Sequence, residues 1–233
     1  MPPDKKNTTL VIDQGTSSTK IFLFNLSNHV VFKSEDKHTL KYPRPGHVEA
    51  DALAIAHICE KLIRQAINFA RGKNIHIFVA GIALQRSTFL FWDRKTLKPL
   101  TPALSWQDGR AIDIVKKLKD RSETIFKITG SPLNSHLGGP KFAHLTNKSN
   151  SLKEKTKTGS AIFGTISSFI TQYLTANCFI DETIASRFTM MNLNTCSWDQ
   201  ELLNLFGVPK ICLPQLVPRS EEHTSELQSR TNL

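Results

Sequence analysis

Cysteine is scarce in these 233 residues: Cys59, Cys178, Cys196 and Cys212 lie far apart, with no C-x-x-C pair and no histidine at metal-ligand spacing. A disulfide scaffold and a zinc module are excluded, and reduced thiols in or near a core are expected. Long apolar runs are missing too. The most apolar stretch, residues 75–84, contains His76 and is too short to cross a bilayer, and residues 1–9 are polar where a signal peptide would carry its apolar segment. A soluble, cytoplasmic protein is therefore expected, with no membrane partner. Neither G-x-x-x-x-G-K-[ST] nor G-x-G-x-x-G occurs, which removes the P-loop and the dinucleotide-binding fingerprint. Acidic residues are outnumbered, 20 against 30 Lys+Arg, for a net charge of +10, but the basic excess is dispersed. Its densest stretch, 148–157, is rich in Ser, Thr and Asn and lacks aromatics, so it reads as a solvated loop and not as a nucleic-acid patch.

What is present is an ordinary globular composition, 39% hydrophobic and 21% charged with 11 Gly and 11 Pro, on a chain long enough for one substantial core. Residues 8–13 and 20–25 are short apolar, β-branched runs around a small-residue turn and read as a hairpin, with 30–34 as a third strand. Ile55, Ile58, Cys59, Leu62, Ala66 and Phe69 recur at three- and four-residue spacing. That stripe predicts a helix over about 51–71, with Asp51 as its cap and Gly72 as its stop. Residues 75–84 then read as a strand buried on both faces, and 89–93 as its partner, which puts Arg86 at a strand end. Shorter helices are predicted over 111–119, 121–129, 140–147, 167–174 and 199–206. Strands followed by alternating strands and helices make an α/β layout.

One stretch carries chemistry. Asp13-Gln14-Gly15-Thr16-Ser17-Ser18-Thr19-Lys20 places a carboxylate at a strand end, followed by Gly and hydroxyl residues in a tight turn. Small residues let backbone N–H groups approach a phosphate, and a carboxylate can hold Mg²⁺. Taken alone, the same stretch is also compatible with a plain hairpin turn.

Several further segments join it in order: Pro45-Gly46-His47-Val48-Glu49-Ala50-Asp51; Ile82-Ala83-Leu84-Gln85-Arg86-Ser87-Thr88 with Trp92-Asp93; Pro102-Ala103-Leu104-Ser105-Trp106-Gln107-Asp108-Gly109-Arg110; Gly139-Pro140-Lys141; and Phe163-Gly164-Thr165-Ile166-Ser167-Ser168. Together they resemble the N-terminal domain of the FGGY carbohydrate kinases, in the glycerol-kinase-like branch, over nearly all of residues 8–218. The resemblance implies an actin-like, ribonuclease-H-like α/β domain with a mixed sheet flanked by helices, and a C-terminal ATP-binding domain that is missing from this sequence. It implies ATP and Mg²⁺ as cofactors and a sugar or polyol as substrate. A homodimer of the complete protein is left open.

By the same resemblance Asp13 would position Mg²⁺, and Thr16, Ser17, Ser18 and Lys20 would contact ATP phosphates. Arg86, Ser87, Trp106, Asp108 and His136 would line the substrate side. For Asp108 and Arg110 two roles stay open, shaping the pocket or pairing with one another. Ser87 stands where glycerol kinases carry a Glu that accepts from glycerol hydroxyls, and His136 falls near their substrate-contacting Tyr if residues 132–141 align without a gap. Losing a carboxylate acceptor weakens binding of the matching hydroxyl, so a larger polyol or sugar is expected. No residue takes the role of general base, an Asp of the missing domain in this family, and the fragment alone is expected to be inactive.

The end of the chain reads differently. Arg219 to Ser229 resembles a sequencing-library adapter translated in frame, so residues 219–233 are expected to be an artefact and the natural protein to continue past Pro218. Two other readings remain beside the kinase: a non-catalytic sugar-binding or regulatory module, and, from the charge alone, a nucleic-acid binder.

Overall fold

The structure, a computed structural model, describes residues 7–218; the segment from Arg219, expected from the sequence to be an artefact, lies outside the described residues. The chain runs β1 (Asn7–Gln14), β2 (Ser18–Asn25), β3 (Val30–Lys37), β4 (Glu49–Ala50), α1 (Ala52–Gly72), β5 (His76–Leu84), β6 (Phe89–Asp93) and β7 (Ala103–Leu104). It continues through α2 (Ile112–Lys117), α3 (Ser122–Thr129), α4 (Gly138–Asn147), α5 (Asn150–Lys157), β8 (Ala161–Thr165), α6 (Ile166–Thr175), β9 (Phe179–Asp181) and α7 (Glu182–Ala185). Last come β10 (Met191–Asn192), β11 (Ser197–Trp198), α8 (Gln200–Phe206) and β12 (Gln215–Val217). Residues 7–39 together with 53–85 form one compact unit, and 40–52 with 86–218 form a second.

In the first unit the predicted hairpin is present: β1 and β2 pair antiparallel, β3 pairs antiparallel with β2, and β5 lies parallel to β1, giving the order β3-β2-β1-β5. Alternate residues of β1 and β2 point inward, as a half-buried strand requires. Leu10, Ile12, Ile21 and Leu23 thereby meet Leu62, Ala66 and Ala70 of α1 in one apolar cluster. The helix matches the predicted stripe, but Gly72 is its last residue and not the residue that turns the chain. Asn74 adopts the left-handed conformation, φ 51°, and the Ile75 N–H closes on the Ala70 carbonyl at 2.8 Å, a C-terminal cap that Asn tolerates almost as well as Gly.

Two strand expectations are corrected. β5 is not buried on both faces, since Phe78 and Ile82 are exposed and most of its residues alternate between partial and full exposure. It is the edge of its sheet among the described residues, and an apolar run states what could be buried without supplying the element that would cover it. The segment 89–93 does not pair with it. As β6 it joins the second unit's sheet, order β4-β7-β6-β8, running antiparallel to β7 and β8.

The core of the second unit is built from phenylalanines. Phe89, Phe91, Phe142, Phe163 and Phe188 are all buried, with ring centroids 4.7 to 5.7 Å apart in stacked, tilted and edge-on pairs, the geometries that aromatic quadrupoles favour. The helices expected around 111–119, 121–129, 140–147, 167–174 and 199–206 appear as α2, α3, α4, α6 and α8. Residues 148–157 are corrected from loop to helix: the Ser149 side chain accepts from the Leu152 N–H, and Leu152 and Thr156 face inward from α5. Lys153 and Lys157 are exposed on this helix. Among the thiols Cys59 and Cys212 are buried as expected, and burial pushes them up to about 11 and about 12, whereas Cys196 is exposed. Among the described residues no helix is long and apolar enough to cross a membrane.

Candidate functional site

The first unit carries the turn between β1 and β2. Asp13 pairs in register with Lys20, and Lys20 with Glu35 of β3, so the three side chains share one face of the sheet. Asp13 and Ser17 are exposed, and Thr16, Ser18 and Lys20 are half-buried. The turn closes through the Gly15 N–H on the Ser18 carbonyl at 2.9 Å, and the His38 N–H donates to the Ser17 carbonyl at 3.1 Å. The Gly15 carbonyl is gripped from three sides, by the amides of Gln14 and Gln85 and by Nε2–H of His38 at 3.1 Å. Burial lowers the His38 pKa below its ordinary value, against the opposing effect of that carbonyl. Gln14, Gln85 and His38 were not among the expected site residues. Gln85 lies inside a segment already singled out, but nothing in the spacing of His38 points to Gly15.

The second unit holds Arg86, Ser87, Trp106, Asp108 and His136. Arg86 is exposed in the link before β6, and Ser87 after it has φ 63°, a conformation that L-residues other than Asn and Asp rarely adopt. The Trp106 N–H donates to Thr88 Oγ1 at 3.3 Å, and its indole stays 45% exposed. His136 is exposed just before α4. Asp108 differs from the rest, because it has no exposed surface. Its Oδ2 accepts from the Val48 N–H at 2.7 Å and from Arg110 Nη2 at 2.7 Å, and Arg110 also reaches Glu49 at 2.7 Å. Of the two roles left open, pairing is the one this geometry displays. Burial raises the Asp108 pKa, but the bonds from Arg110 and Val48 outweigh it and hold the carboxyl below its ordinary value. The triad binds the 45–51 segment to the 102–110 segment, assisted by Gly109 N–H to Gly46 O at 2.9 Å and Ser105 N–H to Val48 O at 2.9 Å.

Lys141 is the residue the spacing left without a role. It is fully buried on α4, and its ammonium donates to the carbonyls of Ser105 at 2.6 Å, Ser87 at 3.2 Å and Leu104 at 3.4 Å. Two clefts in this unit, of about 380 and 880 Å³, contain none of the five expected residues.

Residues 8–232 match the FGGY family of carbohydrate kinases, N-terminal domain. The chain belongs to that family. The glycerol kinase of Acidiphilium cryptum is 36% identical over 228 residues, covering 93% of this chain and 46% of that protein. A crystal structure of Plasmodium falciparum glycerol kinase with ADP superposes with a TM-score of 0.87 at 32% identity, over 91% of this chain and 43% of that one. The gluconate kinase of Lactobacillus acidophilus gives 0.79 at 25% identity over 91% and 42%. This FGGY chain thus spans about half the length of the relatives it matches, and its fold is the mixed-sheet α/β architecture of the actin-like ATPase domains.

Proposed function

We propose that this FGGY chain is the N-terminal part of a cytoplasmic kinase that transfers a phosphoryl group from ATP to a hydroxyl of a sugar or polyol. The observation that carries the reading is the β1–β2 turn, whose Gly15 carbonyl is held by Gln14, His38 and Gln85 while Asp13 and Ser17 face solvent. A phosphate site needs a turn already rigid before the ligand arrives. The donor set suits a magnesium nucleotide: one exposed carboxylate, hydroxyls at 16 to 18, and a lysine in register with the carboxylate. Mg²⁺ is commonly held by one or two carboxylates plus substrate phosphates, so Asp13 would suffice without the larger acidic cluster that is lacking among the described residues. When bound, ATP with Mg²⁺ supplies the phosphoryl group and neutralises its charge.

The remaining work falls to the chain's own residues. Thr16, Ser17 and Ser18 donate to phosphate oxygens, and Lys20 adds a point charge where a bidentate guanidinium is absent. Arg86 offers its fixed fork to substrate hydroxyls. Trp106 lays an exposed indole face against C–H groups, and the exposed His136 adds an imidazole to the substrate side. Asp108 acts indirectly, by holding the loop that bears Trp106. None of these groups takes the hydroxyl proton.

Substrate choice rests on Ser87, whose small side chain cannot supply a carboxylate acceptor. A larger polyol or sugar is the expected substrate, with a kcat/KM roughly tenfold or more above that of glycerol. ADP formation by the complete protein, measured across glycerol, longer polyols and simple sugars, checks this. Glycerol as the best substrate would remove the argument from Ser87 and leave the kinase standing. Tight binding of a polyol with no ADP formed on any of them would make the protein a non-catalytic binding module.

A further inference from the structure

Lys141 is a buried charge that touches no carboxylate. No carboxylate among the described residues forms an ion pair with it, and burial pushes its ammonium down to about 7, with Asp108 opposing and Arg110 adding to that shift. Burying an ammonium is costly unless every donor is used. Every donor is used: an ammonium has three N–H groups, and three carbonyls accept them. The Phe89 ring, 5.6 Å from Nζ, adds a cation–π contact.

Those three carbonyls are not scattered. Ser87 O belongs to the left-handed residue directly after Arg86, a conformation that persists only where the surroundings enforce it. Ser105 O precedes Trp106, and it also accepts the Asp108 N–H that closes the Trp106 turn at 2.9 Å. One ammonium therefore ties the Ser87–Thr88 peptide to the Ser105–Trp106 peptide.

We propose that Lys141 is a positioning residue that locks the Arg86–Ser87 turn to the Ser105–Trp106 turn, so that guanidinium and indole meet a sugar or polyol in one fixed arrangement. The proposal rests on the kinase reading above. It assigns Lys141 no contact with substrate.

The test uses the complete protein and two variants. Lys141→Met removes all three donors, and Lys141→Gln retains two without the charge. The polyol KM is expected to rise on the order of ten- to a hundredfold in Lys141→Met and less in Lys141→Gln, while the KM for ATP stays unchanged. A purely structural role would lower the melting temperature and leave the polyol KM of the folded enzyme where it was. Trp106 gives a second readout that needs no turnover, because Trp92 and Trp198 are buried. Acrylamide quenching of the exposed indole should increase in both variants, and protection by bound polyol should fall. Folded variants with the polyol KM within twofold of the parent overturn the proposal, as does failure of both to fold, which would assign the residue to the core. A parent enzyme that makes no polyol-dependent ADP overturns the kinase reading itself.

Discussion

Asp108 has lost all contact with water, which by itself raises its pKa, yet it stays below its ordinary value because the Val48 N–H and the backbone N–H, Nε and Nη2 of Arg110 donate to it. Removing one partner of such a pair leaves the other uncompensated, at a cost of about 3–5 kcal/mol; Glu49 still holds Arg110, which puts Asp108→Ala at the lower end, about 3 kcal/mol, in urea denaturation of the chain. The sign with pH follows from the depressed carboxyl. Its contribution is present above the ordinary carboxylate range and is lost as pH falls through the lower folded value, so the variant should lose less stability on acidification than the parent. A denaturation midpoint unchanged at neutral pH would show the triad to be ornamental. Arg86 and Trp106 stand out in the sequence because their types suit a polyol, and both sit exposed. His38 and Lys141 do not, since their meaning lies in backbone carbonyls up to 54 residues away along the chain.

Elements with strong local periodicity are legible in the sequence, and α5, with little of it, is not. The β1–β2 hairpin and α1 declare themselves through alternation and a three-four stripe. α5 hides its helix, because only Leu152 and Thr156 face the core from eight mostly polar residues, and its cap is a single serine. β8 is buried along its whole length and packs against β6 with Leu90 opposite Gly164. A Cβ at Gly164 would approach the Trp92 ring to 2.6 Å, and that ring is anchored by its N–H to Gln172 at 2.8 Å. Gly164→Ala is therefore expected to cost about 1–3 kcal/mol, seen as a melting temperature several degrees lower. An unchanged melt would mean that the indole can swing aside.

For the molecule as a whole, the decisive observation is coverage: an N-terminal FGGY fold that spans 43% to 46% of its relatives. β5 shows apolar surface at the edge of its sheet, with Phe78 43% and Ile82 41% exposed. Flat apolar edges pair with other chains. Replacing both with Thr should slow aggregation of this chain in light scattering and leave its melting temperature within a degree or two; equal aggregation would place the liability elsewhere. The sequence alone determined the hairpin, the long helix, the carboxylate-turn-lysine order and the family, because each is written in spacing between near neighbours or in the order of short segments. Only the tertiary structure decided that β6 leaves β5 for β8, that Asp108 is an internal brace, and that Lys141 joins two loops. Those outcomes depend on which distant surfaces bury one another and which backbone groups need partners there, and no local pattern records either.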